Sequence, residues 1–369
     1  MAQGTPEKTI KVGVVGGGFG RTHILAYRAT PGVEVTAFCQ RTKASAEKIA
    51  REFGIPRVFT DYREMLTHAD LDVVSLTTPT NIHLAMASEA FDHRVAVLCE
   101  KPLAMNQEEA AAMLKRAEEA CVIHMTAFNF RFIPAFCRMK ELMHEGYVGN
   151  RVLHVEASWF SERRADPTVP FGWRDEKQAV GFGAMGDMGV HLADLVRWLA
   201  GDVKRVCSRQ AIFTRERPLA DGSGMRPVTV EDCAVFIGEL AGGGLVSFAA
   251  NAAARGSAYQ EIRILGDQGV LRAAVDRNKP DWMIGELWGA QGNDASELLS
   301  IPEQLKERLV PAGHRRAARE AIFANLTRLL AHSVRTGEQP SPSFRDGLEA
   351  QKVLDAVEKS AQTERWVSV

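Results

Sequence analysis

The 369-residue chain is long enough for two domains with ordinary hydrophobic cores. Its 46% apolar and 25% charged residues are the composition of a soluble globular protein, and 45 Lys and Arg against 46 Asp and Glu leave no net field to gather nucleic acid or an anionic membrane. The opening MAQGTPEKTI lacks the apolar core of a signal peptide and no later stretch has 18 unbroken apolar residues, so the sequence predicts a cytoplasmic protein with a small-molecule partner.

Taken in chain order, short Val- and Ile-rich runs at 10–15, 33–38, 73–76, 95–99 and 122–126 alternate with helical patterns near 22–29, 43–53, 81–92 and 107–119. Parallel neighbours need a crossover, usually a helix, so this alternation predicts a doubly wound parallel sheet of the Rossmann type over 1–126. The pattern then changes. A helix is expected from Pro134 to about Glu145, an alternating strand over 151–160, a loop rich in Gly, Pro and charge over 161–185, and an amphipathic helix from Asp187 to Leu199 with Leu192, Leu195, Val196 and Leu199 as its apolar stripe. Strands at 203–213, 232–240, 243–251, 260–265 and 269–273, joined by glycine turns, predict a large, mostly antiparallel sheet with helices on one side, in a second α+β domain over 127–369. Residues 274–314 carry no clear pattern, and helices near 315–335 and 344–361 close the chain. The six dispersed cysteines read as small hydrophobes in a reducing compartment, and no metal site is expected.

Three segments carry chemistry. Gly16, Gly18, Phe19 and Gly20 lie where the first strand meets the first helix, a place where glycines admit a pyrophosphate and the helix N-terminus offers free N–H groups. The third glycine of G-x-G-x-x-G falls on Arg21 instead, with Gly20 one residue early. The second strand ends in Gln40 and Arg41, with no carboxylate for a ribose 2′-hydroxyl, and Arg41 and Lys43 are suited to a 2′-phosphate, so NAD(P) is expected with NADP somewhat favoured. Thr78, Pro79, Asn81 and His83, and then Glu100 and Lys101, follow later strands at the edge where ligands bind such sheets. A lysine partly desolvated beside a cationic nicotinamide is able to trade a proton with an alcohol.

The third segment, Gly181 to Asp194, sets Asp187 and His191 four residues apart on one helix face. The pair suits proton exchange with a substrate hydroxyl, a helix cap beside a core histidine, or two metal ligands, although no further cluster of His or Cys accompanies it. In the preceding loop Trp173 and Arg174 suit a sugar ring and its hydroxyls; Arg163, Arg164 and Arg174 would instead suit an acidic sugar.

Together the glycine turn, TPTNIH, CEKP, FNFRFIP, the GFGAMGDMGVHLAD helix, Val230-Glu231-Asp232 and the SPSFRDG segment resemble the Gfo/Idh/MocA family along nearly the whole chain. The resemblance implies an oxidoreductase moving a hydride between NAD(P) and a carbon of a sugar or cyclic polyol. It lends catalytic roles to Lys101, Asp187 and His191, a place near the nicotinamide ribose to Glu100, and a substrate approach to Asn129 and Arg131. It also implies homodimers or homotetramers formed through the second domain's sheet. Two other outcomes stay open: glycoside cleavage by transient oxidation and elimination, and a dinucleotide-binding sensor without chemistry.

Overall fold

The computed structural model describes residues 8–307 and 315–369; the N-terminal residues 1–7 and the stretch 308–314, part of the region without clear pattern, lie outside it. The chain divides into two compact units. Among the described residues the first comprises 8–103, 108–129 and 315–346, and the second comprises 104–107, 130–307 and 347–369. The path is therefore more interleaved than one cut after residue 126.

The first unit contains β1 (Ile10–Val15), α1 (Gly20–Arg28), β2 (Val33–Cys39), α2 (Lys43–Phe53), β3 (Arg57–Phe59), α3 (Tyr62–His68), β4 (Val73–Leu76), α4 (His83–Asp92), β5 (Ala96–Cys99), α5 (Gln107–Ala120) and β6 (His124–Thr126). Its strands run parallel in the order β3-β2-β1-β4-β5-β6. The order reverses between β1 and β4, which opens a crevice at their carboxyl ends. Every residue of β4 and β5 is buried, as expected of strands covered on both faces. Strand β3 and helix α3 are additions to the sequence reading; three partly exposed residues at a sheet edge leave no periodic signal.

The helix Arg315–Thr336, expected in the second domain, belongs to the first unit because it packs along α1. Phe323 lies 5.9 Å from the Phe19 ring and 4.8 Å from the His23 ring, and Thr327 Oγ1 is 2.8 Å from Thr30 Oγ1.

The second unit contains α6 (Pro134–His144), β7 (Val152–Phe160), α7 (Val190–Ala200), β8 (Val203–Ala211), β9 (Cys233–Leu240), β10 (Leu245–Asn251), β11 (Tyr259–Gly266), β12 (Gly269–Asp276) and β13 (Glu286–Gln291). These form a sheet in the order β13-β12-β11-β7-β10-β9-β8, with two-residue strands 297–298 and 367–368 at its edges. Pairing is antiparallel except between β7 and β10, which are far apart in sequence, with α7, β8 and β9 between them. Strand β13 lies in the stretch that carried no clear pattern.

Alternation along the strands buries Trp159, Phe236, Phe248, Ile262 and Leu271 on one face, where α6 and α7 pack. The opposite face shows Val235 and Ile237 to solvent, beside the pairs Arg263–Glu156 at 3.1 Å and Arg272–Glu261 at 2.7 Å.

Candidate active site

The candidate residues fall into two groups, one in each unit. In the first, Gly16 adopts φ +102°, and a Cβ there would lie 2.7 Å from the Thr77 carbonyl oxygen. Only glycine fits. At Gly20 a Cβ would come 3.1 Å from Thr77 Oγ1 and 3.3 Å from Val14 Cγ1, so this residue lets α1 settle onto β1 although it stands one place early. Gly18 is different: a Cβ would meet no atom within 4 Å. Its backbone borders open space, and the N-cap residue Phe19 supplies no capping oxygen to the helix behind it. Arg21 is committed to Glu52.

Gln40 tucks its side chain beneath the turn, where a Cβ on Gly17 would be 2.5 Å from Gln40 Oε1, while Arg41 and Lys43 are exposed. No carboxylate occupies residues 39–43 at the end of β2.

Beyond β4, Thr77 Oγ1 donates to the carbonyls of Val15 (2.8 Å) and Gly16 (3.0 Å), which ties this strand end to the glycine turn. Thr78 and Pro79 are half-buried and Asn81 is exposed. His83 is fully enclosed, with Nδ1 3.1 Å from the Leu103 carbonyl and Nε2 3.1 Å from the Thr78 carbonyl. Burial lowers its pKa, and a neutral ring, with a single N–H, donates to one of these two carbonyls at a time.

Glu100, after β5, is buried and lies 2.9 Å from His23 Nε2 through Oε1, while the Lys101 N–H donates to its Oε2 at 3.2 Å. His23 Nδ1 is 2.7 Å from Ser75 Oγ, which in turn accepts from Tyr27 at 3.4 Å. A polar chain from α1 thus orients the backbone that carries half-buried Lys101. His23 was not singled out from sequence; its signal is a histidine on the buried face of a glycine-led helix. Asn129 is also buried in this unit.

In the second unit Asp187 does not stand on a regular α-helix. Residues Met185–Gly189 form a π-helical turn that runs into α7, so the expected i,i+4 stacking of Asp187 and His191 is changed. Such wider turns occur often at functional sites. The helix start is held by Glu231, whose carboxylate accepts from the Gly183 and Met185 N–H groups at 2.9 Å. A Cβ on Gly183 would lie 2.0 Å from the Glu231 carbonyl oxygen, so that glycine is a packing requirement. Burial raises the Glu231 pKa against the opposing pull of these N–H groups. Val-Glu-Asp was legible as a motif; that its glutamate caps the Asp187 turn was not.

Asp187 Oδ2 accepts from Arg163 at 2.9 Å in a partly exposed pair. His191 is buried, stacked on Phe130 with centroids 4.5 Å apart and planes at 28°, with Trp159 at 5.9 Å. Helix α7 is buried almost all round rather than along one stripe. Part of the reason is Arg131, which corrects another expectation: its guanidinium is buried and donates from Nε to Asp194 at 2.8 Å, one turn beyond His191, and lies 5.7 Å over Trp198. It anchors the helix instead of lining an open approach.

The 161–176 loop is likewise pinned. Arg164 bridges Asp175 (2.8 Å) and Asp232 (3.0 Å), and Arg217 adds a 3.3 Å contact to Asp175. Arg164 is thereby a structural cation rather than a selector of acidic sugars. Trp173 is 41% exposed with Arg174 stacked 4.1 Å above it, at the surface. All six cysteines are free, and among the described residues no group of three or more His, Cys, Asp or Glu side chains is placed to hold a metal.

Residues 10–128 match the family model described as "Oxidoreductase family, NAD-binding Rossmann fold", and residues 136–272 match the "GFO/IDH/MocA C-terminal domain". The chain is 29% identical to levoglucosan dehydrogenase of Pseudarthrobacter phenanthrenivorans, over 98% of each chain. It is 26% identical to D-apiose dehydrogenase of Paraburkholderia graminis, over 99% of this chain and 91% of the relative. The solved structure of a levoglucosan dehydrogenase in complex with NADH and L-sorbose superimposes with a TM-score of 0.89 at 30% identity, covering 98% of this chain and 99% of that one.

Proposed function

From membership of the Gfo/Idh/MocA oxidoreductase family, to which this chain belongs, we propose that it transfers a hydride between NAD(P) and a secondary alcohol or ketone of a sugar, sugar derivative or cyclic polyol. The observation that carries the reading is the glycine turn: Gly18 opens onto free space at an α-helix N-terminus beside the strand-order reversal, which suits a dinucleotide pyrophosphate. The relatives named levoglucosan dehydrogenase and D-apiose dehydrogenase support the substrate class. Gly16, Gly18, Phe19 and Gly20 would hold the phosphates, with Thr78, Pro79, Asn81 and Glu100 around the remainder. The bound nicotinamide supplies the hydride acceptor or donor.

The protein's own tasks are proton handling and orientation. His191 exchanges the proton of the reacting hydroxyl, its ring fixed by the stack on Phe130. Lys101, its backbone set by Glu100, and Asp187 are the further residues assigned to proton transfer and substrate orientation. Gln40 in place of a carboxylate favours acceptance of a 2′-phosphate, so NADP use belongs to the proposal. So does a homo-oligomer built on the sheet face that exposes Val235, Ile237 and Leu245.

A panel of sugars and inositols with NAD and NADP, read at the reduced-nicotinamide band, tests this. Lys101→Ala is expected to lower kcat about 100-fold or more while leaving cofactor affinity within about twofold. Wild-type protein that reduces neither cofactor with any polyol refutes the function, and unchanged turnover in Lys101→Ala refutes that residue's role.

A further inference from the structure

At one end of the second unit's sheet, Trp159 on β7, Gln260 on β11 and Arg277 just past β12 stand on neighbouring strands. Gln260 is directly opposite Trp159 and both are buried on the helix-covered face. The Arg277 N–H continues the ladder by donating to the Ala258 carbonyl at 3.0 Å. Its guanidinium carbon lies 4.8 Å from the Trp159 ring centroid, 5.3 Å from Trp282 and 5.9 Å from Phe130. The Phe130 ring is the one that stacks on His191, so arginine, aromatic rings and imidazole form one continuous cluster.

Within it Gln260 is anomalous. It is 1% exposed, yet neither Nε2 nor Oε1 has a hydrogen-bond partner among the described residues. A buried amide with both ends unmet destabilises a fold. A ligand hydroxyl is donor and acceptor in one group and answers both ends, whereas a carboxylate accepts only and leaves Oε1 unmet. Aromatic faces suit the C–H surface of a sugar ring, and a guanidinium is able to donate to two adjacent hydroxyls.

We propose that Gln260 and Arg277, walled by Trp159, Trp282 and Phe130, form the subsite that grips the hydroxyls of a neutral sugar ring remote from the carbon served by His191. They are specificity-determining residues, and the inference rests on the sugar oxidoreductase reading above. It also predicts discrimination against sugar acids, since a carboxylate placed here strands the Gln260 carbonyl.

Gln260→Leu and Arg277→Lys test it, with steady-state kinetics on the best neutral sugar, cofactor Kd by fluorescence, melting temperature, and sugar binding by saturation-transfer NMR on the cofactor-loaded protein. For Gln260→Leu we expect kcat/KM to fall about tenfold, mainly through KM, with cofactor Kd within about twofold and the melting temperature unchanged or raised, because the unmet amide is gone. Arg277→Lys keeps the charge and loses the planar fork, and is expected to lose about tenfold in kcat/KM. Unchanged KM in both variants overturns the subsite. So does a matched sugar acid turned over faster than its neutral counterpart. If Gln260→Leu fails to fold, Arg277→Lys alone decides. Should wild type bind neutral sugars yet reduce no cofactor, the oxidoreductase reading fails while loss of the NMR signal in Gln260→Leu still supports the subsite.

Discussion

Arg131 and Asp194 offer the sharpest test of how the His191 helix is held. Both side chains are buried, at 5% and 1% exposure, and the guanidinium reaches the carboxylate from two nitrogens. Removing one member leaves a buried charge without its counterion, which costs about 3–5 kcal/mol in comparable pairs, whereas replacing both with apolar groups of similar volume costs little. Arg131→Met and Asp194→Leu singly are therefore each expected to lose about that much, and the double variant to recover most of it. For a folding unit of this size a change of 1 kcal/mol moves Tm by about 2–4 °C, so each single variant should melt about 10 °C lower by calorimetry. Urea titration gives the coupling energy of the full cycle. A substrate-gripping Arg131 would behave otherwise: KM would rise, Tm would hold, and Asp194→Leu would not compensate. Single losses below about 1 kcal/mol, or a double variant no more stable than the singles, refute the anchoring account.

The other expectations concern backbone approach and pH. Gly18→Ala should leave Tm within about 1 °C, since its Cβ meets no protein atom, and weaken NAD(P) binding about tenfold or more by fluorescence titration. Gly16→Ala, at φ +102° and against the Thr77 carbonyl, should lower Tm as well; equal effects at both positions would contradict the distinct geometry. Glu231 has a raised folded-state pKa, so the native state binds its proton more tightly than the unfolded chain does. Its contribution is therefore greatest below the ordinary glutamate value of 4.5 and is lost as pH rises from there through the folded value. Stability of wild type relative to Glu231→Gln, from chemical denaturation at stepped pH, should decline across that window, and a difference rising with pH would reverse the assignment.

Local pattern determined a great deal of this protein. Alternation of apolar runs with helical spacing specified the parallel sheet, because a strand covered on both faces must be apolar throughout and its crossover must be amphipathic. Period-two runs with glycine turns specified the second sheet, and Gly16, Gly18, Lys101, Asp187 and His191 were marked by their places in chemically meaningful motifs. Tertiary structure decided which polar groups are spent on the fold. Arg131, Arg164 and His83 look in sequence like residues waiting for a ligand, and each is committed to a carboxylate or carbonyl brought in from elsewhere in the chain. Gln260 and Arg277 drew no attention as letters and acquire meaning only because three strands end side by side next to His191's aromatic neighbours. The physical reason is range: periodicity and turn chemistry act over a few residues and are written locally, whereas the pairing of a buried charge or amide depends on partners that only the folded chain brings near.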